Sequence, residues 1–271
     1  MPVPDHIHRF WRALDELFAS VRPTTWGAVV TDGRYPRIWD TNYARIDVAD
    51  PRLRVADIDA DLLPALAAAG ATTYHVVSFR PEATAGLLAE LSSRGDRLSW
   101  DLVMEVGPGD PVRATTDDRV EEVPAGDELW RRVGDSLALF GVEPGDAVHQ
   151  LRAIERDVLE PGGKRWFAIR EEGEIVSLAA LVLLEGVGYV DNVATFPASR
   201  GKGYASALTT RIVREARSRG AEHVCLFADP DDDAVVRLYG SLGFRDVGRL
   251  ASTRGPVDRA PRGDRPHATN L

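Results

Sequence analysis

Residues 200–205 read Arg200-Gly201-Lys202-Gly203-Tyr204-Ala205. They fall between an apolar run ending at Phe196 and a helical pattern beginning near Gly203. Two glycines in such a turn let the backbone come close to a ligand. The first N–H groups of the following helix have no intrahelical partners, and with the positive end of the helix dipole they suit an anion such as a pyrophosphate. An ordinary strand-to-helix turn can share this composition, so spacing has to discriminate. A P-loop requires G-x-x-x-x-G-K-[ST], whereas Lys202 is followed by Gly203 and no Ser or Thr completes a magnesium site. A dinucleotide fingerprint requires G-x-G-x-x-G; here Ser206 replaces the third glycine and no ribose-binding acid is in register. Neither pattern fits.

Outward from the turn the chain alternates strand and helix. Upstream, apolar runs predict strands over 165–170, 175–184 and 188–196, the first two joined by the turn Glu171-Glu172-Gly173-Glu174. Before them come a short strand near 120–123 and helices over 127–140 and 147–159. Downstream lies a helix over 203–217, with Ala205, Leu208, Ile212 and Ala216 on one stripe. A strand over 223–228, a helix over 232–242 and a strand from Phe244 follow. The first half reads as a helix over 6–21, strands over 26–31 and 43–48, a helix over 62–69, a strand over 72–79, a helix over 82–93 and a strand over 98–106. Gly70-Ala71, a strand, a helix ending in Leu87-Leu88-Ala89-Glu90-Leu91 and Gly95 match Gly220-Ala221, a strand, Val236-Arg237-Leu238-Tyr239 and Gly243. The two halves read either as repeats of one α/β fold or as a coincidence of the common helix–Gly–strand pattern. The segment Gly107-Pro108-Gly109-Asp110-Pro111 has no apolar periodicity, which divides the chain into 1–106, a linker at 107–112 and a second domain at 113–251. Residues 252–271, rich in Arg, Pro, Gly and Asp, read as a disordered tail.

The pattern Arg200-x-x-Gly203-x-Ala205 resembles the [RQ]-x-x-G-x-[GA] acyl-CoA pyrophosphate motif of the Gcn5-related N-acetyltransferase (GNAT) family. Thr195-Phe196-Pro197 stands where that family has V-x-P, and Ala234, Leu238-Tyr239 and Leu242-Gly243-Phe244 resemble its A-x-x-x-L-Y-x-x-x-G-F ending. The likeness spans 188–248 and implies the GNAT fold, an α/β (α+β) mixed twisted sheet flanked by helices, in two tandem GNAT-like domains, with acetyl-CoA as acyl donor. By that resemblance Val193, Ala194 and Thr195 offer backbone groups to the pantetheine arm, and Arg200, Gly201, Lys202, Gly203, Tyr204 and Ala205 hold the pyrophosphate through main-chain N–H groups. Tyr239 is the implied acid for the departing thiolate; a phenol stays protonated at neutral pH and can donate to a sulfur anion. An ammonium acceptor must lose a proton before attack, so an acid near it helps. Asp191, on the strand leading to the turn, is the candidate, a solvated strand acid being the plainer reading. Strand alternation puts Asn192 on the opposite face, so only one of the two should face the cleft. Asp231 stands where the family commonly has Asn, a place for a pantetheine contact or a helix cap. The first half has no comparable glycine turn, and Leu91 occupies the position of Tyr239. It resembles the degenerate half of tandem acetyltransferases of the mycothiol synthase type. The segment 35–43, aromatic and polar, is a candidate to line an acceptor pocket or to form a buried loop plug.

Composition narrows the partners. Of 271 residues 44% are hydrophobic and 28% charged, ordinary for a globular chain. No apolar stretch approaches the ~20 residues of a membrane helix, and the N-terminus lacks a secretory pattern, so a cytoplasmic location is expected. The net charge of −9 disfavours nucleic acid and tolerates cationic small substrates. The single cysteine, Cys225, sits in an apolar strand and should be buried. The six histidines have no metal-site spacing, so no metal is implied. The expectation is transfer of an acetyl group to a small primary amine. A non-catalytic acyl-CoA sensor and a protein or peptide acetyltransferase are the alternatives, with oligomeric state open.

Overall fold

The structure is a computed structural model and describes residues 2–113 and 118–257. The elements of the first half are α1 (Asp5–Asp15), β1 (Ser20–Pro23), β2 (Gly27–Thr31), β3 (Tyr43–Ile46), α2 (Val55–Ala69), β4 (Thr73–Ser78), α3 (Ala85–Ser93) and β5 (Arg97–Val106). The second half contributes β6 (Glu121–Val123), α4 (Asp127–Leu137), α5 (Asp146–Ile154), β7 (Arg165–Glu171), β8 (Glu174–Leu184) and β9 (Val187–Thr195). It ends with α6 (Tyr204–Ser218), β10 (His223–Ala228), α7 (Asp233–Leu242) and β11 (Arg245–Pro256). No helix among the described residues is long and apolar enough to cross a membrane.

All strands join one mixed sheet in the order β1-β2-β3-β4-β11-β5-β10-β9-β8-β7-β6. The topology repeats. In the first half β2 and β3 are antiparallel, α2 crosses over, and β4 lies parallel to β3. In the second, β8 and β9 are antiparallel, α6 crosses over, and β10 lies parallel to β9. The last strand of each half is inserted into the other: β11 lies between β4 and β5, and β5 between β11 and β10, all antiparallel. Residues 107–112 therefore separate the halves in sequence but not in space. Five residues assigned by sequence to the disordered tail, Ser252 to Pro256, are strand instead, paired with β4 and with Ser99 to Arg97 of β5. Thr253 is fully buried there, because the strand runs through the centre of the sheet. Residues 258–271 lie outside the described residues.

Three packing layers follow from the apolar stripes. Leu208, Ile212, Val213 and Ala216 of α6 cover Phe167, Ala179, Leu181 and Val224 of the second half. Ile58, Leu62 and Leu66 of α2 cover Val29, Ala44, Ile46 and Val76 of the first. On the other face α1 buries Ile7 and Phe10 against a row that crosses both halves, Val30, Val77, Val103, Val182 and Leu250, with Cys225 among them. This helix is shorter than its apolar pattern. It ends at Asp15, and Val21 belongs to the exposed edge strand β1, where Leu17 and Phe18 pack in the intervening turn against Val158 and its neighbours. Conversely α2 starts before Leu62, at Val55, with Asp57 Oδ2 accepting the Arg54 N–H at 2.9 Å, and it carries Pro64 within it.

Candidate active site

β9 and β10 pair only at their starts, Val187 to Tyr189 against His223 to Cys225. Beyond these residues the strands diverge, because each is held on its outer edge, β9 by β8 and β10 by β5. Backbone groups on the inner edge of β9 are thus left open to a cleft of about 910 Å³. In the first half three of the four residues of β3 pair with β4, so no equivalent opening forms.

The turn 200–205 closes one end of this cleft. Gly201 and Gly203 have φ of +78° and +81°, a left-handed backbone that favours glycine, and a Cβ at either would meet no atom within 4 Å. Gly203 precedes the first turn of α6, whose N–H groups receive no side-chain cap. Glu171 holds the turn from behind: its carboxylate accepts from Lys202 Nζ at 2.7 Å, from Tyr204 Oη at 2.5 Å and from Ser199 Oγ at 2.7 Å. Those three donors, Lys202 foremost, pull the Glu171 carboxyl down to about 2. In the first half the corresponding α2 N-terminus is filled from within, the Val55 N–H donating to Glu90 Oε2 at 3.2 Å.

Val193, Ala194, Thr195, Arg200, Gly201, Gly203, Tyr204, Ala205 and Tyr239 all line the cleft. Lys202 does not, since its side chain turns to Glu171; any role it has in binding comes from its main chain. Asp231 does not either. The cap of α7 is Asp232, whose Oδ1 accepts from the N–H groups of Ala234 and Val235 at 3.0 and 3.1 Å. Tyr239 packs edge-on to Phe244, and burial pushes its phenol up to about 12. Leu91, at the matching place in the first half, is fully buried in the core.

The strand-alternation argument for Asp191 and Asn192 fails, because a β-bulge interrupts the pairing of β8 and β9 between Leu178 and Ala180 and gives Asn192 a φ of +51°. Both side chains consequently line the cleft. Asp191 is ion-paired, its Oδ2 lying 2.7 Å from Nζ of the fully buried Lys164. Lys164 also meets Glu155, with Nζ 2.8 Å from Oε1 and 2.7 Å from Oε2, and Asn192 Nδ2 donates to Glu155 Oε1 at 3.1 Å. Nothing in the local sequence around Asp191 points to Glu155 or Lys164.

A second cavity, of about 550 Å³, opens from the same place. Tyr189, Asp191, Asn192, Phe227 and Asp229 line both spaces. The first half supplies Trp11, Trp39, Asp40, Tyr43 and His75, and the exchanged strands supply Trp100, Asp101 and Arg254. The 35–43 segment does both things considered for it: Ile38 to Thr41 and Tyr43 line the cavity, while Tyr35 and Ile38 bury against Ile154 and Val158. Asp40 is open to the cavity yet deep in the fold, and desolvation pushes its carboxyl up to about 6 against the pull of Arg254. Asp101 is raised to about 6 for the same reason, with Asp229 adding repulsion. Elsewhere, His6, Glu105 and His223 bring possible ligand atoms within 4.8 Å of one another. The two imidazoles stack at 3.8 Å and 20° and share the oxygens of one carboxylate. Near-parallel rings aim their lone pairs in separate planes, which suits hydrogen bonding to Glu105 better than a common ion.

The profile described as "Acetyltransferase (GNAT) family" matches residues 131–244. A mycothiol acetyltransferase of Nocardiopsis dassonvillei is 41% identical over 78 residues, covering 29% of this chain and 24% of that protein. An N-alpha-acetyltransferase MAK3 of Arabidopsis thaliana is 36% identical over 63 residues, covering 23% and 33%. The chain thus spans about a quarter to a third of the length of these curated relatives. Over nearly the whole chain the fold is similar to a GCN5-related N-acetyltransferase from Kribbella flavida, with a TM-score of 0.64 at 19% identity, covering 94% of this chain and 96% of that one. Residues 131–244 thus match the GNAT family of acetyltransferases, the family that the motifs of this part of the chain resemble.

Proposed function

We propose that this protein transfers an acetyl group from acetyl-CoA to a primary amine of a small molecule, the cleft holding the donor and the adjoining cavity the acceptor. The observation that carries this reading is the junction of the two spaces at Tyr189, Asp191 and Asn192, beside Tyr239 and the open edge of β9. The donor supplies an activated thioester carbonyl. The residues fit it: the left-handed glycines at 201 and 203 leave room for a diphosphate over the uncapped start of α6, and the bare edge of β9 offers backbone groups to an extended arm. Tyr239 keeps its proton at neutral pH and gives it to the leaving thiolate. Asp191, on the acceptor side, is placed to receive the proton of the incoming ammonium, directly or through water. The first half acts as a degenerate copy that walls the acceptor cavity, its own helix start being filled by Glu90 and its tyrosine position by Leu91.

The acceptor is a cation before it reacts, and Asp40 and Asp101 face it across aromatic walls. Both carboxyls titrate near 6, so they are charged above that pH and neutral below it. The KM for the acceptor should accordingly rise as pH falls through about 6 while the KM for acetyl-CoA stays level. A thiol-release screen of acetyl-CoA against spermidine, kanamycin, glucosamine, tyramine and a short peptide, with product mass determined, tests the reading. Release with a small amine supports it; CoA binding without release from any of them refutes it in favour of a sensor. Release with the peptide alone moves the acceptor to a polypeptide, as the name of the Arabidopsis relative suggests.

The turn has its own test. Valine at 203 must adopt a left-handed backbone, a strain of about 1–3 kcal/mol, or flip the turn. Gly203→Val should weaken CoA binding by about tenfold or more in titration calorimetry, a loss of about 1.4 kcal/mol or more. The variant should still unfold in a single cooperative transition.

A further inference from the structure

Two irregularities of the backbone converge on one lysine. After α5 the chain widens into a single π-turn at Glu155–Leu159, a feature that often marks functional sites. The β9 bulge turns Asp191 and Asn192 together toward the same point. Between them Lys164 is wholly shut from solvent, its ammonium 2.7 Å from Asp191 Oδ2 and 2.8 Å from Glu155 Oε1. Two carboxylates and one ammonium leave a single net negative charge at the wall where the cavities meet. Glu155 lines the acceptor cavity, whereas Asp191 lines both.

We infer that Glu155 is the catalytic proton acceptor and that Lys164 is the positioning residue that holds it beside Asp191. This rests on the acetyltransferase reading and changes its base from Asp191 to the buried partner. Three observations favour Glu155. Burial, with repulsion from Asp191, lifts its carboxyl above the usual range against the pull of Lys164, which brings it nearer to working pH. Asn192 Nδ2 fixes its Oε1. Asp191 has its Oδ2 on Lys164 and its Oδ1 on the Asn192 N–H at 2.8 Å, whereas Glu155 Oε2, although 2.7 Å from Lys164 Nζ, accepts no hydrogen bond. The lysine stays charged, since its two carboxylates outweigh the cost of burial.

The proton balance closes. The acceptor ammonium gives one proton to Glu155, its nitrogen lone pair forms the C–N bond as the C–S bond breaks, and Tyr239 gives its proton to the thiolate. Solvent returns a proton to the tyrosine, and Glu155 and the new amide nitrogen release theirs to water. Free thiol, amide and one net proton result.

The other charged and titratable groups on this cavity are Asp15, Asp40, Tyr43, His75, Arg97, Asp101, Tyr189, Asp229 and Arg254. Asp40 and Asp101 affect acceptor binding, so the test uses kcat at saturating acceptor. The acceptor is whichever of spermidine, kanamycin, glucosamine or tyramine gives most thiol release. Glu155→Gln should lower kcat about 100-fold, leave the KM for acetyl-CoA unchanged and abolish the acidic limb of the kcat profile. Asp191→Asn should cost less and keep that limb. Lys164→Met should displace the limb, and Lys164→Arg should restore it in part. CoA affinity by calorimetry reports whether each variant is folded. An acidic limb that survives Glu155→Gln but vanishes with Asp191→Asn overturns the assignment and leaves the acetyltransferase reading intact. Equal losses in kcat and CoA affinity for Glu155→Gln, with the limb unmoved, reduce the triad to a structural ion pair. Absence of wild-type turnover with every amine removes both readings together.

Discussion

Tyr239→Phe should lower turnover by about two orders of magnitude while CoA still binds at wild-type strength. The substitution removes one oxygen and keeps the ring. That ring lies edge-on to Phe244 at 6.0 Å and is 7% exposed, so packing around α7 is preserved. What is lost is a proton donor. A thiolate leaving without one must wait for water, in a cleft whose walls are Leu226, Val235 and Leu238. Burial raises the phenol to about 12, so the wild-type residue is neutral across the physiological range and its loss should reduce the rate uniformly with pH. Steady-state kinetics at saturating acetyl-CoA, with calorimetry for CoA, would measure both quantities. Equal kcat in the two proteins would take the acid role away from this residue.

The second large effect concerns the sheet. Fragments 1–112 and 113–271, produced separately, should each lack a cooperative unfolding transition, and together they should recover one. Each half misses a central strand. Without β11 the first half has a gap between β4 and β5, and without β5 the second has a gap between β10 and β11. The strands that fill these gaps are among the most buried: Val103, Val106, Ala251 and Thr253 are inaccessible, and Leu250 is 3% exposed. Unpaired central edges also leave backbone donors and acceptors unsatisfied in an apolar setting, at about 1–3 kcal/mol each. α1 adds to the linkage by covering residues of both halves on one face. Denaturant unfolding of the separate and co-expressed fragments decides this. Two independently cooperative halves would mean that the exchanged strands are dispensable.

The sequence carried the local elements well because period and turn chemistry are local. β10 was legible end to end, and α6 to within a residue, since Leu208, Ile212 and Ala216 fall on one stripe. β1 was not: its four residues form an exposed edge with no apolar alternation, and Val21 read as part of the preceding helix. The helix read over 62–69 already ran through Pro64; its first turns, from Val55, were missed because Asp57, Asp59 and Asp61 interrupt their apolar stripe. The strand exchange could not be read at all. β11 offers few apolar residues beyond Leu250 and Ala251, and nothing local says which neighbour it or β5 will take.

The site divides the same way. The glycine turn and Tyr239 were found because a short motif holds them in fixed spacing, and they line one cleft. The bulge at Asn192 was missed because no glycine marks it, and with it went the rule that adjacent strand residues face opposite sides. Asp231 was one residue from the side chain that caps α7. Glu155 and Lys164 reach Asp191 only through tertiary structure, and the acid pair Asp40 and Asp101 is assembled from different halves.

The central claim is that the amide groups of the 200–205 turn and the free edge of β9 receive the donor. Hydrogen–deuterium exchange with and without CoA measures those amides directly. The account predicts slowed exchange at residues 201–206 and 192–195 on adding CoA, with β3 and the start of α2 unchanged. Binding with no protection at those two segments, or protection at residues 47–57 instead, would contradict it.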